Sequence, residues 1–239
     1  MTLAEVLSRL HALADSDKVL FKQQKFGIIA NNALGVYIKD IKDIAKEIGS
    51  DNELALALFD TGIYEARLLC SKVFKPRDVT EALMEKWVVT FENWEMCDSF
   101  SMGLFSKSPF AVQKIQEWST RETEFEKRAA FATLASYCMA DKTSGNDLFE
   151  SFLPILLRES SDSRLYVKKA VNWALRSIGK RNQELRKLAI QTAIQISEEN
   201  RNSKTAQWIA KDALKELQGE NLNVLDYPRA IYRPKAIKK

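Results

Sequence analysis

Few residues in this chain interrupt a helix, and no stretch is apolar for long enough to span a membrane. Only 8 glycines and 5 prolines occur among 239 residues, and few windows alternate in the way that strands require. A run of about 18 apolar residues is absent. The opening MTLAEVLSRLHALADSD carries Glu5 and is typical of an amphipathic helix rather than a signal peptide. These absences predict an all-helical, soluble, cytoplasmic protein of bacterial type with no membrane partner.

Cysteine and histidine, the soft metal ligands, are also scarce. The cysteines are Cys70, Cys97 and Cys138, with no CxxC spacing, and His11 is the sole histidine. We therefore expect buried thiols in a reducing compartment, no metal site and no other cofactor. The same scarcity excludes zinc-dependent chemistry on nucleobases.

Charge is concentrated in one part of the chain. The net charge is only +4, yet residues 164 to 187 hold eight Lys and Arg side chains against a single acid, Glu184. A basic zone of this kind favours a polyanionic partner over a general role in solubility.

Helical periodicity recurs from one end of the chain to the other, between breaks at Gly and Pro. It predicts helices at about 2–14, 16–29, 36–48, 51–60, 62–72, 79–90, 93–106, 109–118, 121–140, 146–158, 162–179, 181–198 and 203–218. Short connections make neighbouring helices antiparallel, and a pair recurs about every 35 to 45 residues, which is the HEAT or armadillo spacing. We therefore predict an all-α fold: a right-handed α-solenoid of HEAT-like (ARM-type) antiparallel helix pairs with a concave basic groove. A helical bundle without repeats is the alternative.

The domain organisation follows from where this periodicity stops. We expect one helical-repeat domain over residues 1–219 and a basic, loosely structured C-terminal tail over residues 220–239. The tail is interpreted as a solvated terminus, and an arm that contacts the partner is the alternative.

Residues 162–179, DSRLYVKKAVNWALRSIG, place an indole on a basic face. The apolar positions at helical spacing are Val167, Ala170, Val171, Ala174, Leu175 and Ile178. Trp173 lies opposite this stripe at about 100° per residue, together with Lys169 and Arg176. An indole on a cationic surface suits stacking against a nucleotide. The alternative is that Trp173 packs beneath the next repeat.

Residues 93–106, NWEMCDSFSMGLFS, pair an aromatic ring with an acid. Asn93 is a candidate N-cap, and the predicted buried stripe consists of Met96, Cys97, Phe100 and Leu104. Trp94 and Asp98 are spaced i, i+4 and share the other side of the helix. A carboxylate beside a π face suits stabilisation of a cation. From spacing alone, a surface acid beside a half-buried Trp is somewhat favoured.

The predicted helix 121–140 is apolar nearly all round after Arg128. A guanidinium in an inner helix needs an anion, and an internal acid and a bound phosphate are equally good partners at this point. Trp94, Arg128 and Trp173 are separated by about one repeat each, so a solenoid would bring them together on one groove.

The segments NWEMCD, EFEKRAAF and YVKKAVNWALRSIGKRN resemble the AlkD-type DNA alkylation repair proteins, which are helical-repeat enzymes that excise alkylated purines. The resemblance extends from about residue 20, where KFGIIANNALGV is similar to the family's amino-terminal signature, to about residue 218. It implies that Asp98 is the catalytic carboxylate, that Trp94 and Trp173 flank the lesion deoxyribose, and that Arg128 contacts a phosphate. Phe26 stands where some members have a tyrosine that contacts DNA. The proline and arginine common after this signature are absent here.

The function implied is that of a DNA-alkylpurine N-glycosylase in base excision repair, acting as a monomer on double-stranded DNA and associated with the nucleoid. Substrates would be cationic N3- and N7-alkylated purines, such as 3-methyladenine and 7-methylguanine, which leave readily as neutral bases. Asp98 would stabilise the sugar cation and orient water, and the absence of any need for a lysine nucleophile predicts a monofunctional enzyme. The candidate DNA-backbone contacts are Lys168, Lys169, Arg176, Lys180 and Arg181, so affinity should fall steeply with salt.

Two alternatives come from other classes of function. One is a noncatalytic relative that binds unusual DNA structures, against which the two tryptophans and Asp98 argue. The other is a HEAT-like scaffold whose basic face grips an acidic peptide.

Overall fold

The computed structural model describes residues 1–229, and every regular element within that range is helical. The α-helices are α1 (Leu3–Ala12), α2 (Ser16–Phe26), α3 (Ile38–Ile48), α4 (Asn52–Asp60), α5 (Tyr64–Val73), α6 (Glu81–Val88), α7 (Trp94–Gly103), α8 (Ala111–Trp118), α9 (Glu124–Ala140), α10 (Asn146–Glu150), α11 (Leu153–Glu159), α12 (Leu165–Gly179), α13 (Gln183–Glu199) and α14 (Lys204–Leu217). Short 3₁₀ helices occupy Pro76–Asp78 and Phe105–Lys107.

Several predicted helices differ from the structure by up to three residues at their ends, as where α2 stops at Phe26 instead of residue 29, and one is not a continuous helix. The range 146–158 was expected to be continuous, but the structure divides it into α10 and α11. Pro154 lies in the first turn of α11. Because proline has no backbone N–H and its ring collides with the preceding turn, a helix tolerates it at the start and breaks where it would be internal.

The structure forms two compact units, of which the first spans residues 1–134 and the second begins at Ala135. In the first unit α5 is the innermost helix, since nearly all of its residues are buried, and it packs against α3, α4 and α7. A Cβ on Gly103 would lie 2.4 Å from the Ser71 carbonyl oxygen, so the end of α7 approaches α5 as closely as backbone allows.

An aromatic cluster in the first unit holds α7 in place. Neighbouring ring centroids within it are 5.3 to 6.4 Å apart, and its members are Phe59, Phe74, Trp87, Phe91, Phe100, Phe105 and Trp118. Phe100 from α7 contacts four of these rings. Large buried aromatic side chains contribute much of the stability of such a core, so the position of α7 is well determined.

In the second unit α12, α13 and α14 pack against one another. The apolar stripe predicted on α12 is confirmed, with every member fully buried: Val167, Ala170, Val171, Ala174, Leu175 and Ile178. A Cβ on Gly179 would meet Leu217 at 2.6 Å, so the end of α12 also depends on a small residue.

The described part of the C-terminal tail is more ordered than the sequence predicted. The amides of Leu225 and Tyr227 donate to the carbonyls of Lys180 and Arg181, each at 2.8 Å, and the Tyr227 side chain is buried. Residues 225–229 therefore pack on the second unit rather than forming a loose segment. The remainder of the predicted tail, residues 230–239, lies outside the described residues.

All three cysteines are free and buried, as the sequence predicted. Burial raises the pKa of Cys70 and of Cys138 to about 12 and also raises that of Cys97, so these thiols stay protonated near neutral pH. Within residues 1–229, no cluster of His, Cys, Asp and Glu side chains has the make-up of a metal site. Over the same range, no helix combines the length and the apolar character needed to cross a bilayer.

Candidate nucleic-acid interface

Helix α7 presents Trp94 and Asp98 on its outer side. The Asn93 side chain caps the helix by accepting a hydrogen bond from the Met96 amide at 3.0 Å, which confirms the predicted N-cap. The predicted stripe is fully buried at Met96, Cys97, Phe100 and Leu104. Trp94 and Asp98 lie away from that stripe and are partly exposed, in the arrangement that their spacing predicted.

Asp98 forms an ion pair with Arg128 through both carboxylate oxygens. The Arg128 Nε lies 3.0 Å from Oδ1 and its Nη2 lies 2.8 Å from Oδ2. The Asp98 side chain is 19% exposed and that of Arg128 is 7% exposed. Of the two anions that the sequence left open for Arg128, the structure therefore shows the internal acid. Two parallel N–H···O bonds of this kind fix the orientation of both groups.

The charge at Asp98 reflects two opposing influences. Burial raises the pKa of the Asp98 carboxyl above its usual value, and the charge and hydrogen bonds of Arg128 act in the other direction. When both groups are ionised the pair carries no net charge. The Asp98 carboxylate therefore attracts a nearby cation more strongly when Arg128 also interacts with another anion.

The Trp94 indole is held by the end of α2. Its Nε1 donates to the Phe26 carbonyl oxygen at 3.0 Å. Helix α2 ends there because Gly27 adopts a left-handed conformation with φ of 64°, which glycine permits without strain. The Phe26 side chain is itself 47% exposed.

A cluster of polar side chains around Glu95, the residue after Trp94, links helices α2, α5 and α7. Lys22 of α2 pairs with Glu95 of α7 at 2.6 Å, and the Tyr64 hydroxyl of α5 lies 2.9 Å from Glu95 Oε2 and 3.0 Å from Asn93 Oδ1. Burial, reinforced by the negative charge of Glu95, raises the pKa of Tyr64. The sequence analysis missed these residues, because Lys22 and Tyr64 are 73 and 31 positions from Glu95 and no motif connects them.

In the second unit, the cationic face predicted on α12 is partly neutralised. Trp173 is half-buried. Arg176 and Lys180 both form ion pairs with Glu216 of α14. Lys168 lies over the Trp208 ring at 4.6 Å, and Lys169 is exposed.

Arg181 requires a correction. The sequence assigned it to the DNA backbone, but it is fully buried. Its Nη1 donates to the carbonyls of Cys138 at 2.7 Å and Asp141 at 2.6 Å, and its guanidinium lies 3.5 Å from the centre of the Phe149 ring. These contacts hold the two Nη groups of a desolvated cation internally, although its Nε has no hydrogen-bond partner, so Arg181 has a structural role in the second unit.

The structure brings together some of the predicted site residues. Trp94, Asp98 and Arg128 belong to the first unit, with Asp98 and Arg128 in direct contact. Trp173 belongs to the second unit. The convergence of Trp173 with the others on a concave basic groove stays a prediction.

The fold and its relatives define the class of protein. A solved structure that is 23% identical, with a TM-score of 0.67, covers 81% of this chain and 82% of that chain. It is described as a new family of proteins related to the HEAT-like repeat DNA glycosylases, with affinity for branched DNA structures. The likeness shows that this chain has the all-helical, HEAT-like repeat fold that the sequence predicted.

The family model described as DNA alkylation repair enzyme matches residues 6–217. This chain therefore belongs to the DNA alkylation repair enzyme family. None of the curated proteins compared with the chain matches it significantly.

Proposed function

We propose that this protein is a monofunctional DNA glycosylase that excises cationic N3- and N7-alkylated purines from duplex DNA. The observation that carries the proposal is the partly exposed Asp98 carboxylate beside Trp94 on the outer side of α7. Membership of a family of DNA alkylation repair enzymes supports a DNA substrate.

The substrate determines what these residues need to do. A purine alkylated at N3 or N7 carries a positive charge, so when the bond from C1′ to the base breaks, the bonding electrons leave with the base as a neutral molecule. The positive charge then develops on the sugar, and water attacks C1′ and loses a proton. Asp98 supplies the opposite charge and accepts a hydrogen bond from that water, while the Trp94 ring offers its negative π face.

Arg128 connects binding to this chemistry. Its guanidinium is shared between Asp98 and, in the bound state, a DNA phosphate, as the family resemblance implies. A phosphate that draws part of the positive charge away leaves the Asp98 carboxylate more negative towards the sugar. In this proposal the Asp98–Arg128 ion pair is the arrangement of the site before DNA binds.

Release of 7-methylguanine and 3-methyladenine from methylated duplex DNA tests the proposal directly. Asp98→Asn should lower the single-turnover rate by about 100-fold or more, the loss typical of one electrostatic group aimed at a developing charge. Glu53→Gln, an exposed acid on α4, is the matched control and should leave the rate unchanged. Normal release by Asp98→Asn would contradict the assigned role.

A second candidate function is noncatalytic binding of branched DNA. Two observations favour it: the described affinity of the structural neighbour, and the neutralisation of Asp98 by Arg128. Junction DNA and methylated linear duplex distinguish the two functions. Tight junction binding without base release from either substrate would support the second function and end the first.

A further inference from the structure

Helix α2 carries an unusual amount of exposed apolar surface. None of its residues is buried. Leu20 is 54% exposed, Phe21 46% and Phe26 47%, and Ile29 just beyond the helix is 64% exposed. Exposed apolar side chains are normal when scattered singly, but a group of neighbours marks an interaction surface.

The aromatic rings on this surface are interleaved with lysines. Phe21 and Phe26 pack edge to face with centroids 5.8 Å apart, and the Lys25 ammonium lies 5.1 Å from the first ring and 5.8 Å from the second. At the other end of the helix, Lys18 lies 4.4 Å from the centre of the exposed Tyr37 ring. We call these five residues the α2 aromatic face.

The charge of the α2 aromatic face comes from a subset of the nearby lysines. Lys22 is held by Glu95 beneath the surface, and Lys18 is paired with Asp15 at 3.1 Å. Lys25 is exposed between two accessible rings at the end of the helix that adjoins Trp94. A cation flanked by flat apolar surfaces matches a ligand that alternates a phosphate with a planar base.

This surface is continuous with the candidate catalytic surface. The Phe26 carbonyl accepts the Trp94 indole N–H at 3.0 Å, and the Ile29 carbonyl accepts from the Asn93 side chain at 2.9 Å. A DNA strand that reaches Trp94 therefore lies next to the end of α2 that carries Lys25 and Phe26.

We propose that the α2 aromatic face binds unpaired nucleotides of DNA, with bases stacked on Phe21 and Phe26 and a phosphate near Lys25. The choice of unpaired over paired nucleotides follows from the rings: bases inside a duplex have both faces covered by their neighbours, whereas an unpaired base has a face free to stack. The inference relies on the proposed function only in taking DNA as the polymer, and it requires no base excision. An anionic membrane is the competing partner for an exposed helix with Phe and Lys, but exposed Gln23 and Gln24 interrupt the broad apolar face that membrane insertion needs.

Fluorescence anisotropy on the full chain with a labelled oligo-dT strand tests the proposal. Phe21→Ala should weaken binding by about 5- to 150-fold, the effect of losing one base stack, whereas Phe21→Trp should bind at least as tightly as the wild type. Leu20→Ala is the matched control, because it removes a neighbouring exposed side chain of similar size that has no π face. Alanine favours helix at both positions, and thermal unfolding of each variant checks that the fold is intact.

The outcomes are decisive in each direction. The proposal is overturned if Phe21→Ala and Leu20→Ala lose oligo-dT affinity equally, or if the wild type does not bind the strand. It is also overturned if Phe21→Ala abolishes binding to phosphatidylglycerol vesicles and leaves oligo-dT binding intact, since that result assigns the face to a membrane. Base release by the wild type, measured in parallel, reports on the proposed glycosylase separately: strand binding without release removes that function alone, and release without strand binding removes this inference alone.

Discussion

Arg128 contacts both carboxylate oxygens of Asp98, at 3.0 and 2.8 Å, across 30 positions of sequence, and so links α7 to the part of α9 that belongs to the first unit. The candidate catalytic acid is therefore also half of a structural ion pair. Both groups are largely shielded from water, so each stabilises the other and neither is easily left alone.

Arg128→Ala is expected to lower the free energy of unfolding by about 3 kcal/mol, because it leaves a largely buried carboxylate without its cation. Urea denaturation measures this. The double variant Asp98→Asn with Arg128→Ala should lose less than the sum of the two single variants, since either substitution alone already breaks the pair. Strictly additive losses would show that the pair contributes nothing to stability.

The proposed catalysis should depend on pH through Asp98. Only the ionised carboxylate stabilises a sugar cation, and burial raises the pKa of this group above its usual value. The rate of base release should therefore fall with decreasing pH above the range in which an exposed aspartate titrates, about pH 4. A pH–rate profile of single-turnover release measures this limb, and Asp98→Asn should lack it.

The raised pKa of Asp98 affects stability in the opposite direction from catalysis: the contribution of this group to stability is greatest in acid, where the rate of base release is lowest. The folded state binds a proton at Asp98 more tightly than the unfolded chain does, so the contribution of this group to stability is fully present in acid. It is lost as the pH rises through the folded-state pKa. Unfolding midpoints of the wild type and Asp98→Asn, compared between pH 4 and 7, should therefore differ in their pH dependence, and parallel curves would contradict a raised pKa.

The fold was predictable because its determinants are local. Helical periodicity, short connections and the scarcity of Gly and Pro all act within one or two helices, and the stripe on α12 was correct at every position. The break at Pro154 was missed because the apolar residues continue at helical spacing through this position, although proline cannot lie in the interior of a helix.

The site was predictable only where its residues share one helix. The i, i+4 relationship of Trp94 and Asp98 needs nothing beyond α7. In contrast, the partners of Lys22 and Arg181 come from segments 73 and about 40 positions away. Arg181 was assigned to DNA because a count of charges in residues 164–187 cannot show that backbone carbonyls enclose one of them.

Arg181 and Lys169 should behave oppositely when substituted. Arg181→Ala removes a fully buried side chain and the bonds that satisfy three backbone carbonyls, so it should destabilise the protein by about 3 kcal/mol or more. Lys169→Ala, at an exposed position on α12, should leave stability nearly unchanged and weaken DNA binding.

Salt titration of DNA affinity separates the two roles further. Wild-type affinity should fall steeply with salt, and Lys169→Ala should reduce the slope of log K against log salt by about 1, as for one lost phosphate contact. Arg181→Ala, at temperatures where it remains folded, should keep the wild-type slope. A reduced slope for Arg181→Ala would restore it as a DNA contact.

Trp94 offers a way to separate a π contact from a positioning hydrogen bond. Trp94→Phe keeps an aromatic ring but loses the N–H that donates to the Phe26 carbonyl, whereas Trp94→Ala loses both. If the ring itself faces the sugar cation, single-turnover base release should fall only modestly for Trp94→Phe, by about 10-fold for a hydrogen bond of about 1 kcal/mol together with a weaker π face. Trp94→Ala should lose substantially more.

Trp208→Phe and Trp208→Ala are the controls, because Trp208 is also a partly exposed tryptophan and lies under Lys168 in the second unit. Neither should change the rate of base release, although the alanine variant removes the ring over which Lys168 lies. Equal losses for Trp94→Phe and Trp94→Ala would mean that the indole acts only by fixing α7 to the end of α2, and the assignment of its π face to the sugar cation would then be wrong.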